Sequence, residues 1–227
     1  AIDNHPSRFA RRAEQEGQPV IDDTVSMIRC TNKIYLKELL ESRKVPMPKS
    51  LVLSSTADAE MAADRLGLPV VVKVPDGSFS RGVHKAATLA ELKGLLDKLF
   101  DDTDLLLAQA FMPTKFDWRV GVLGGKPLFV CQYMMAKKHW QIIKHEEGGA
   151  FREGNFRTFS VEEAPKEVVD MGVAAAAAIG DGLYGVDLKT GPDGPSVIEI
   201  NDNPNLETRI EGAILKDRLW RHVLDWF

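Results

Sequence analysis

Hydrophobic and polar positions alternate along this chain with two different periods, and the switches between them predict its elements. Residues 8–16 carry a thin apolar stripe of Phe9, Ala10 and Ala13 on a charged segment, which predicts a short polar helix. From Asn32, an N-cap residue, Ile34, Leu36, Leu39 and Leu40 recur at helical spacing until Pro46 and Pro48 end the pattern, predicting a helix over 33–43. Leu51-Val52-Leu53 reads as a strand. Ser55 or Thr56 then caps a helix with Ala59, Ala62, Ala63 and Leu66 on one face, ended by Gly67. Pro69-Val70-Val71-Val72-Lys73-Val74 is β-branched almost throughout and reads as a strand covered on both faces. After the loop 75–83, Thr88 and Glu91 form a capping box for a helix through Leu92, Leu95, Leu96 and Leu99.

Period-2 segments dominate the second half. Leu105–Gln109, Phe116–Leu123 and Pro127–Met135 predict strands, the last two joined by a Gly124-Gly125 hairpin turn. Residues 145–158 are polar and Gly-rich, a loop expected to pass over a site. Pro165 opens a helix with Val168, Val169, Gly172, Val173, Ala176 and Ile179, closed near Gly180. Tyr184–Lys189 and Ser196–Ile200 flank a Gly-Pro-Asp-Gly turn, and a last helix is predicted over 211–225.

Composition narrows the function classes. With 227 residues, 44% hydrophobic and 27% charged, the chain can bury a core of one large or two small domains. A formal charge of −4 offers no basic field for nucleic acid or an anionic membrane. Cys30 and Cys131 have no metal-ligand spacing and read as buried thiols. No run reaches the ~18–20 apolar residues of a membrane helix, and the N-terminus lacks a signal pattern, so a cytoplasmic protein is expected. The start at Ala1, followed by Arg8, Arg11 and Arg12, reads as the middle of a longer chain.

The chemistry begins with Lys73. A lysine in an apolar strand either snorkels from an edge or meets an anion, because an unpaired buried ammonium is costly. The loop that follows carries Gly77, Ser78, Ser80 and Gly82, whose open backbone N–H groups and hydroxyls suit a lid over phosphates. A second constellation lies in Gly185-Val186-Asp187-Leu188-Lys189 and Val197-Ile198-Glu199-Ile200-Asn201. Alternation puts Asp187 and Lys189 on one face, and Glu199 and Asn201 on the face opposite Ile198 and Ile200. If the hairpin pairs Asp187 with Glu199, the two carboxylates lie within ~5 Å and call for a cation between them. Oxygen donors of this kind suit Mg²⁺. The alternative is a solvated strand edge with Lys189 neutralising Asp187, and a one-residue slip would remove the site.

Taken in order, Thr31-Asn32-Lys33, Pro69-Val-Val-Val-Lys73, Gly77-Ser-Phe-Ser-Arg-Gly82-Val83, Asp117-Trp-Arg119-Val, Gly185-Val-Asp187 and Val197-Ile-Glu199-Ile-Asn201-Asp-Asn-Pro204 make the chain similar to the ATP-grasp superfamily, and within it to the RimK-type carboxylate–amine ligases, from about Val20 to Ile210. The resemblance implies an α+β fold with two lobes sandwiching a nucleotide: residues 31–103 as the first lobe, 104–227 as the second, and 1–30 as a linker or the remnant of an upstream domain. It implies that Lys33 and Lys73 hold ATP phosphates under the 77–82 lid and that Gln109, Ala110 and Phe111 read adenine. Arg119 would face the reacting groups, with a local ion pair to Asp117 as its alternative. Asp187, Glu199 and Asn201 would hold Mg²⁺, with Mn²⁺ as a substitute, and Asn155 would stand near the active site.

Two departures qualify the match. Phe156-Arg157-Thr158 stands where Gly-Gly commonly follows the Asn, leaving the roles of Arg152 and Arg157 open, and Asn205 replaces the glycine often seen after Asn-x-x-Pro. His139 and His145 read as polar loop residues or proton shuttles. Lys137, Lys138 and Lys144 read as a solvated face or a contact for an acidic acceptor. The implied reaction joins an amino acid such as glutamate to a protein, peptide or small-molecule carboxylate through an acyl phosphate, with release of ADP. A kinase acting on a hydroxyl and an ATP-binding module without turnover are the alternatives. The sequence leaves the oligomeric state open, a homo-oligomer included.

Overall fold

Two large antiparallel sheets and one two-stranded sheet take up the alternating segments in the computed structural model, which describes residues 5–76, 82–136, 140–145 and 151–227. The expected lid residues Gly77, Ser78 and Ser80, and Lys137, Lys138 and His139, lie outside the described residues. The chain opens with α1 (His5–Gln15), α2 (Thr24–Thr31) and α3 (Lys33–Ser42). A first α+β unit follows: β1 (Ser50–Leu53), α4 (Ala59–Leu66), β2 (Val70–Lys73), β3 (Val83–Ala86), α5 (Leu89–Phe100) and β4 (Leu106–Ala110). The second contains β5 (Phe116–Leu123), β6 (Lys126–Met134), β7 (Ile143–His145), β8 (Phe151–Glu153), β9 (Phe156–Phe159), α6 (Lys166–Ile179), β10 (Leu183–Gly191), β11 (Gly194–Asn201) and α7 (Asp217–Trp226).

The first sheet has the order β1-β4-β2-β3. Val70, Val72, Ala86, Leu106 and Ala108 point to one face and pack with Ala59, Ala62, Leu92 and Leu96 of α4 and α5. By the period of two, Val71, Lys73, Val83, Lys85, Leu107 and Gln109 take the other face, and the registers Val71↔Lys85, Lys73↔Val83 and Val71↔Gln109 align them. The second sheet has the order β11-β10-β5-β6-β9. Its back face, including Trp118, Val120, Val130, Val186, Leu188 and Ile200, packs on Val168, Val169, Ala175, Ala176 and Ile179 of α6. Gly172 lets that helix approach: a Cβ there would lie 2.6 Å from Val120 Cβ.

The capping signals are realised. Asn32 accepts from the Ile34 and Tyr35 amides, Ser55 and Asp58 form a reciprocal capping box, and Thr88 accepts from the Glu91 amide. Gly124 and Gly125 both take positive φ (55° and 70°), as a tight hairpin turn requires.

Three features differ from the sequence expectation. Residues 24–31, assigned to no element, form α2 with Asp23 as N-cap; its buried side are Ser26 and Cys30, too polar and short to give an apolar stripe. Leu36 and Leu40 of α3 join the core of the second sheet, while β4 pairs with β1 and β2, so the first sheet ends at Ala110 and α3 packs beneath the other lobe. Within the polar stretch 145–158 the described residues include β8, paired with β7, and most of the edge strand β9, and α7 begins only at Asp217 because turns occupy the residues before it.

Candidate active site between the two sheets

The cleft faces of the two sheets meet, and the expected hairpin register is present: Asp187 lies opposite Glu199, and Gly185 opposite Asn201. Asp187 is also opposite Arg119 on β5. One transverse row thus carries Glu199, Asp187 and Arg119, and the neighbouring row carries Asp117 and Lys189. The carboxylates are met by cations. Arg119 donates Nε and Nη2 to the two Asp187 oxygens at 2.7 and 2.9 Å, a bidentate pair. Lys33 Nζ stands 3.5 Å from Glu199 Oε1. Asn201 Nδ2 donates to Asp187 Oδ2 at 3.2 Å.

Two alternatives raised by the sequence are thereby decided. Lys189 neutralises Asp117 rather than Asp187, and Arg119 pairs across the strands with Asp187 rather than within Asp117-Trp118-Arg119. Burial pushes the Asp117 carboxyl above its usual range, and the Lys189 ammonium partly restores it. Burial alone would lower the Arg119 guanidinium, but Asp187 more than reverses this and holds it firmly protonated.

A bulge corrects the alternation. The register shifts between Asp187 and Leu188, with Leu188 opposite Val197, so Ile198 is the extra residue and lines the cleft beside Glu199 instead of joining Ile200 in the core. Its carbonyl accepts from Lys73 Nζ at 3.5 Å. Lys33 and Lys73 are each only 6% exposed. Burial lowers the Lys73 pKa to about 8; Glu199 opposes the shift, whereas Lys33 and Lys189 add to it. Lys73 is therefore no snorkelling edge lysine: it is a desolvated cation facing the cleft.

The hinge residues Gln109, Ala110 and Phe111 all line this cleft. The Gln109 amide is engaged by Ser50 Oγ at 3.0 Å, and the Ala110 and Phe111 N–H groups donate to the Lys49 and Pro69 carbonyls. Phe111 contributes its ring. Gly82, the described end of the lid, accepts from the Val74 amide through its carbonyl and has φ 74°. Asn155 is exposed at the start of β9, where its carbonyl accepts from the Met134 amide; the structure gives its side chain no bond to Arg119 or the carboxylates. Arg157, also exposed, lies over the Phe159 ring. Lys144 and Arg152 are backbone partners in the β7–β8 register.

Sequence reasoning missed a support beneath Arg119. The Tyr133 ring lies 5.3 Å from the guanidinium carbon, and its hydroxyl donates to Glu211, a carboxylate only 2% exposed that also accepts from the Glu207 amide. Tyr133 sits two residues beyond Cys131, the partner of Arg119, so alternation was a usable signal; Glu211 left none. Gly185 makes room for this arrangement, since a Cβ there would lie 2.7 Å from Pro204 Cβ and 3.6 Å from Arg119 Cδ.

Among the described residues no three His, Cys, Asp or Glu side chains converge as a metal cluster. The available set is two carboxylates and one carboxamide. These oxygen donors fit a hard divalent cation that keeps waters and takes further ligands from phosphates. No helix of the described residues is long and apolar enough to cross a membrane.

The cleft between the two sheets is thus lined by the buried lysines Lys33 and Lys73 on one side and the carboxylate pair Asp187 and Glu199 on the other. Residues 30–217 match the family described as the RimK-like ATP-grasp domain, and the chain belongs to that family. It is 28% identical over 205 residues to the alpha-aminoadipate–LysW ligase LysX of Saccharolobus solfataricus, covering 87% of this chain and 70% of that protein. It is likewise 28% identical over 210 residues to a probable alpha-L-glutamate ligase of Aliivibrio fischeri, covering 91% of this chain and 66% of that protein. The fold matches the D-alanine–D-alanine ligase of Bacillus anthracis in complex with ATP, with a TM-score of 0.75 and 18% identity over 98% of this chain and 76% of that one. Membership of this family places the chain among ATP-dependent carboxylate–amine ligases.

Proposed function

We propose that the chain activates a carboxylate with ATP and passes the resulting acyl phosphate to an amine, joining an amino acid such as glutamate to a peptide, protein or small-molecule carboxylate. The observation that carries this reading is the cleft lined by Lys33, Lys73 and the paired Asp187 and Glu199, with Arg119 bonded to Asp187. Attack of a carboxylate oxygen on the γ-phosphorus forms the acyl phosphate and releases ADP. Attack of the amine on the acyl carbon then forms the amide and expels phosphate.

No protein nucleophile is needed. What the reaction needs is charge neutralisation, alignment and exclusion of water. Lys33 and Lys73 would hold ATP phosphates and Arg119 the reacting oxygens. Asp187, Glu199 and Asn201 would hold Mg²⁺, which when bound neutralises phosphate charge, and Mn²⁺ would serve in its place. Gly77, Ser78, Ser80 and Gly82 would cover the phosphates, the hinge 109–111 would take the adenine, and Asn155 would reach the acceptor side. A cytoplasmic setting belongs to the same proposal.

ADP release measured with a panel of amino acids and acidic peptides tests the reading. Amine-dependent turnover is expected. Turnover that needs a hydroxyl and no amine would make the chain a kinase, and ATP-dependent thermal stabilisation without turnover would make it a binding module. Asp187→Asn and Glu199→Gln should each abolish Mg²⁺-dependent stabilisation by ATP; its retention would sink the metal assignment.

A further inference from the structure

The two ends of the cleft differ in chemistry. Charges gather around Lys33, Lys73, Lys189, Asp187 and Glu199, whereas the other end is walled by Val71, Ala110, Phe111, Met112, Trp140 and Ile142. An apolar, aromatic end of this kind suits an uncharged planar ring system. Trp140 has a second neighbourhood. It also lines an adjoining surface pocket with His84, Lys85, Glu91 and Leu95, so its indole is the partition between that pocket and the cleft.

The partition is tied across the lobes. Lys85 comes from β3 of the first sheet, Phe111 from the connection after β4, and Trp140 from the segment after β6 of the second sheet. Lys85 Nζ lies 4.6 Å from the Phe111 ring centre and 5.3 Å from that of Trp140. The two rings meet edge to face, with centroids 6.0 Å apart and planes at 79°. Both cation–ring distances fall within the range in which the ring quadrupole attracts an ammonium. The β2–β3 register explains how Lys85 arrives there: it lies opposite Val71, on the cleft side of the sheet.

We propose that Lys85, Phe111 and Trp140 form an aromatic–cation tie that closes the nucleobase end of the cleft, with Trp140 as the wall and Lys85 as the residue that positions it. The proposal rests on the nucleotide reading above and adds to it a specificity device made of one residue from each lobe and one from the hinge. A wall that touches the base but not the phosphates predicts a selective effect: its loss should weaken ATP and leave a base-free polyphosphate unaffected.

The test compares ATP with inorganic tripolyphosphate by calorimetry, both with Mg²⁺, alongside tryptophan emission. ATP should change the emission of the unmodified chain, and Trp140→Phe should remove that change. Trp140→Ala should weaken ATP by at least about fivefold through lost stacking. Lys85→Met should weaken it about two- to fivefold, Lys85→Arg should restore it because a guanidinium also stacks on aromatic rings, and none should alter tripolyphosphate affinity. Equal losses for ATP and tripolyphosphate, or ATP binding that neither substitution alters, would overturn the tie while leaving the nucleotide reading intact. Absence of any ATP heat in the unmodified chain would overturn both.

Discussion

The cleft faces of the two sheets solve the problem of buried charge in opposite ways. On the four-stranded sheet the ammonium of Lys73 is buried among apolar neighbours, with Lys85 farther along the same face; Lys73 Nζ lies 3.5 Å from the Ile198 carbonyl oxygen, and its pKa falls to about 8. On the five-stranded sheet the charges are crowded but matched, Arg119 with Asp187 and Lys189 with Asp117. The first arrangement stores a cation that favours an arriving anion. The second stores compensated pairs whose partners must be exchanged when substrate and metal arrive. A buried pair costs little while intact and much when halved, whereas an isolated buried charge costs most while nothing is bound.

Breaking a matched pair should therefore have the largest effect. Arg119→Met leaves Asp187 half-buried without its bidentate partner and is expected to lose about 3 kcal/mol in urea denaturation. The double variant Arg119→Met/Asp187→Leu should recover most of that loss; if it is no more stable than the single variant, charge compensation is not what organises this face. Gly185→Ala, which adds no charge but would place Cβ 2.7 Å from Pro204 Cβ, should cost about 1–3 kcal/mol by overpacking, read in the same assay.

The less compensated cation should respond with the opposite sign. Lys73→Met keeps the shape and removes the charge, so the nucleotide-free chain should be as stable as the unmodified one or more stable by about 1 kcal/mol, while ATP-dependent stabilisation is lost. A clear destabilisation would show that Lys73 is compensated after all. The pH dependence sharpens the same point. Between about pH 8 and the ordinary lysine value of 10.5, the unfolded chain keeps a proton that folded Lys73 has released. Stability of the nucleotide-free chain should therefore rise with pH across that window, and Lys73→Met should flatten the rise. ATP affinity should move the other way, falling above pH 8 as the ammonium that would meet the phosphates is lost.

The smallest expected effect lies outside the cleft. Asp22 has φ 63°, one buried carboxylate oxygen without a hydrogen-bond partner, and a pKa raised to about 7 by burial and by Asp202 and Asp23. Folding should weaken as pH rises from about 4 to 7, because the folded state holds a proton that the unfolded chain gives up. Asp22→Asn, which tolerates the same backbone, should raise the denaturation midpoint slightly at pH 8 and less at pH 5. An equal rise at both pH values would assign the gain to the backbone alone.

Much of this was legible along the chain. Local capping chemistry announced α3, α4 and α5, because Asn32, Ser55 and Thr88 act within three residues of themselves. Alternation announced the strands and the shared face of Asp187 and Lys189. Illegible features were those made by contacts distant in sequence. Glu211 gave no sign of its role because its partner, Tyr133, is 78 residues away, and α2 gave none because it is held by Ser26 on Tyr184 and Arg29 on the Ile179 carbonyl. The bulge at Ile198 was hidden as well, since a one-residue insertion into a ladder leaves the residue pattern of the strand unchanged.

The sequence by itself determined which residues could share a face: the period of the strands put Lys73 with Val71, and Asp187 with Lys189, before any fold was known. The tertiary structure decided which charge meets which. Lys189 could have neutralised Asp187, its neighbour on one strand, yet the register of β5 against β10 gave Asp187 to Arg119 and Lys189 to Asp117. The physical reason is that alternation is a property of one backbone, whereas pairing energy depends on the lateral placement of several strands, fixed by the apolar back face packed on α6.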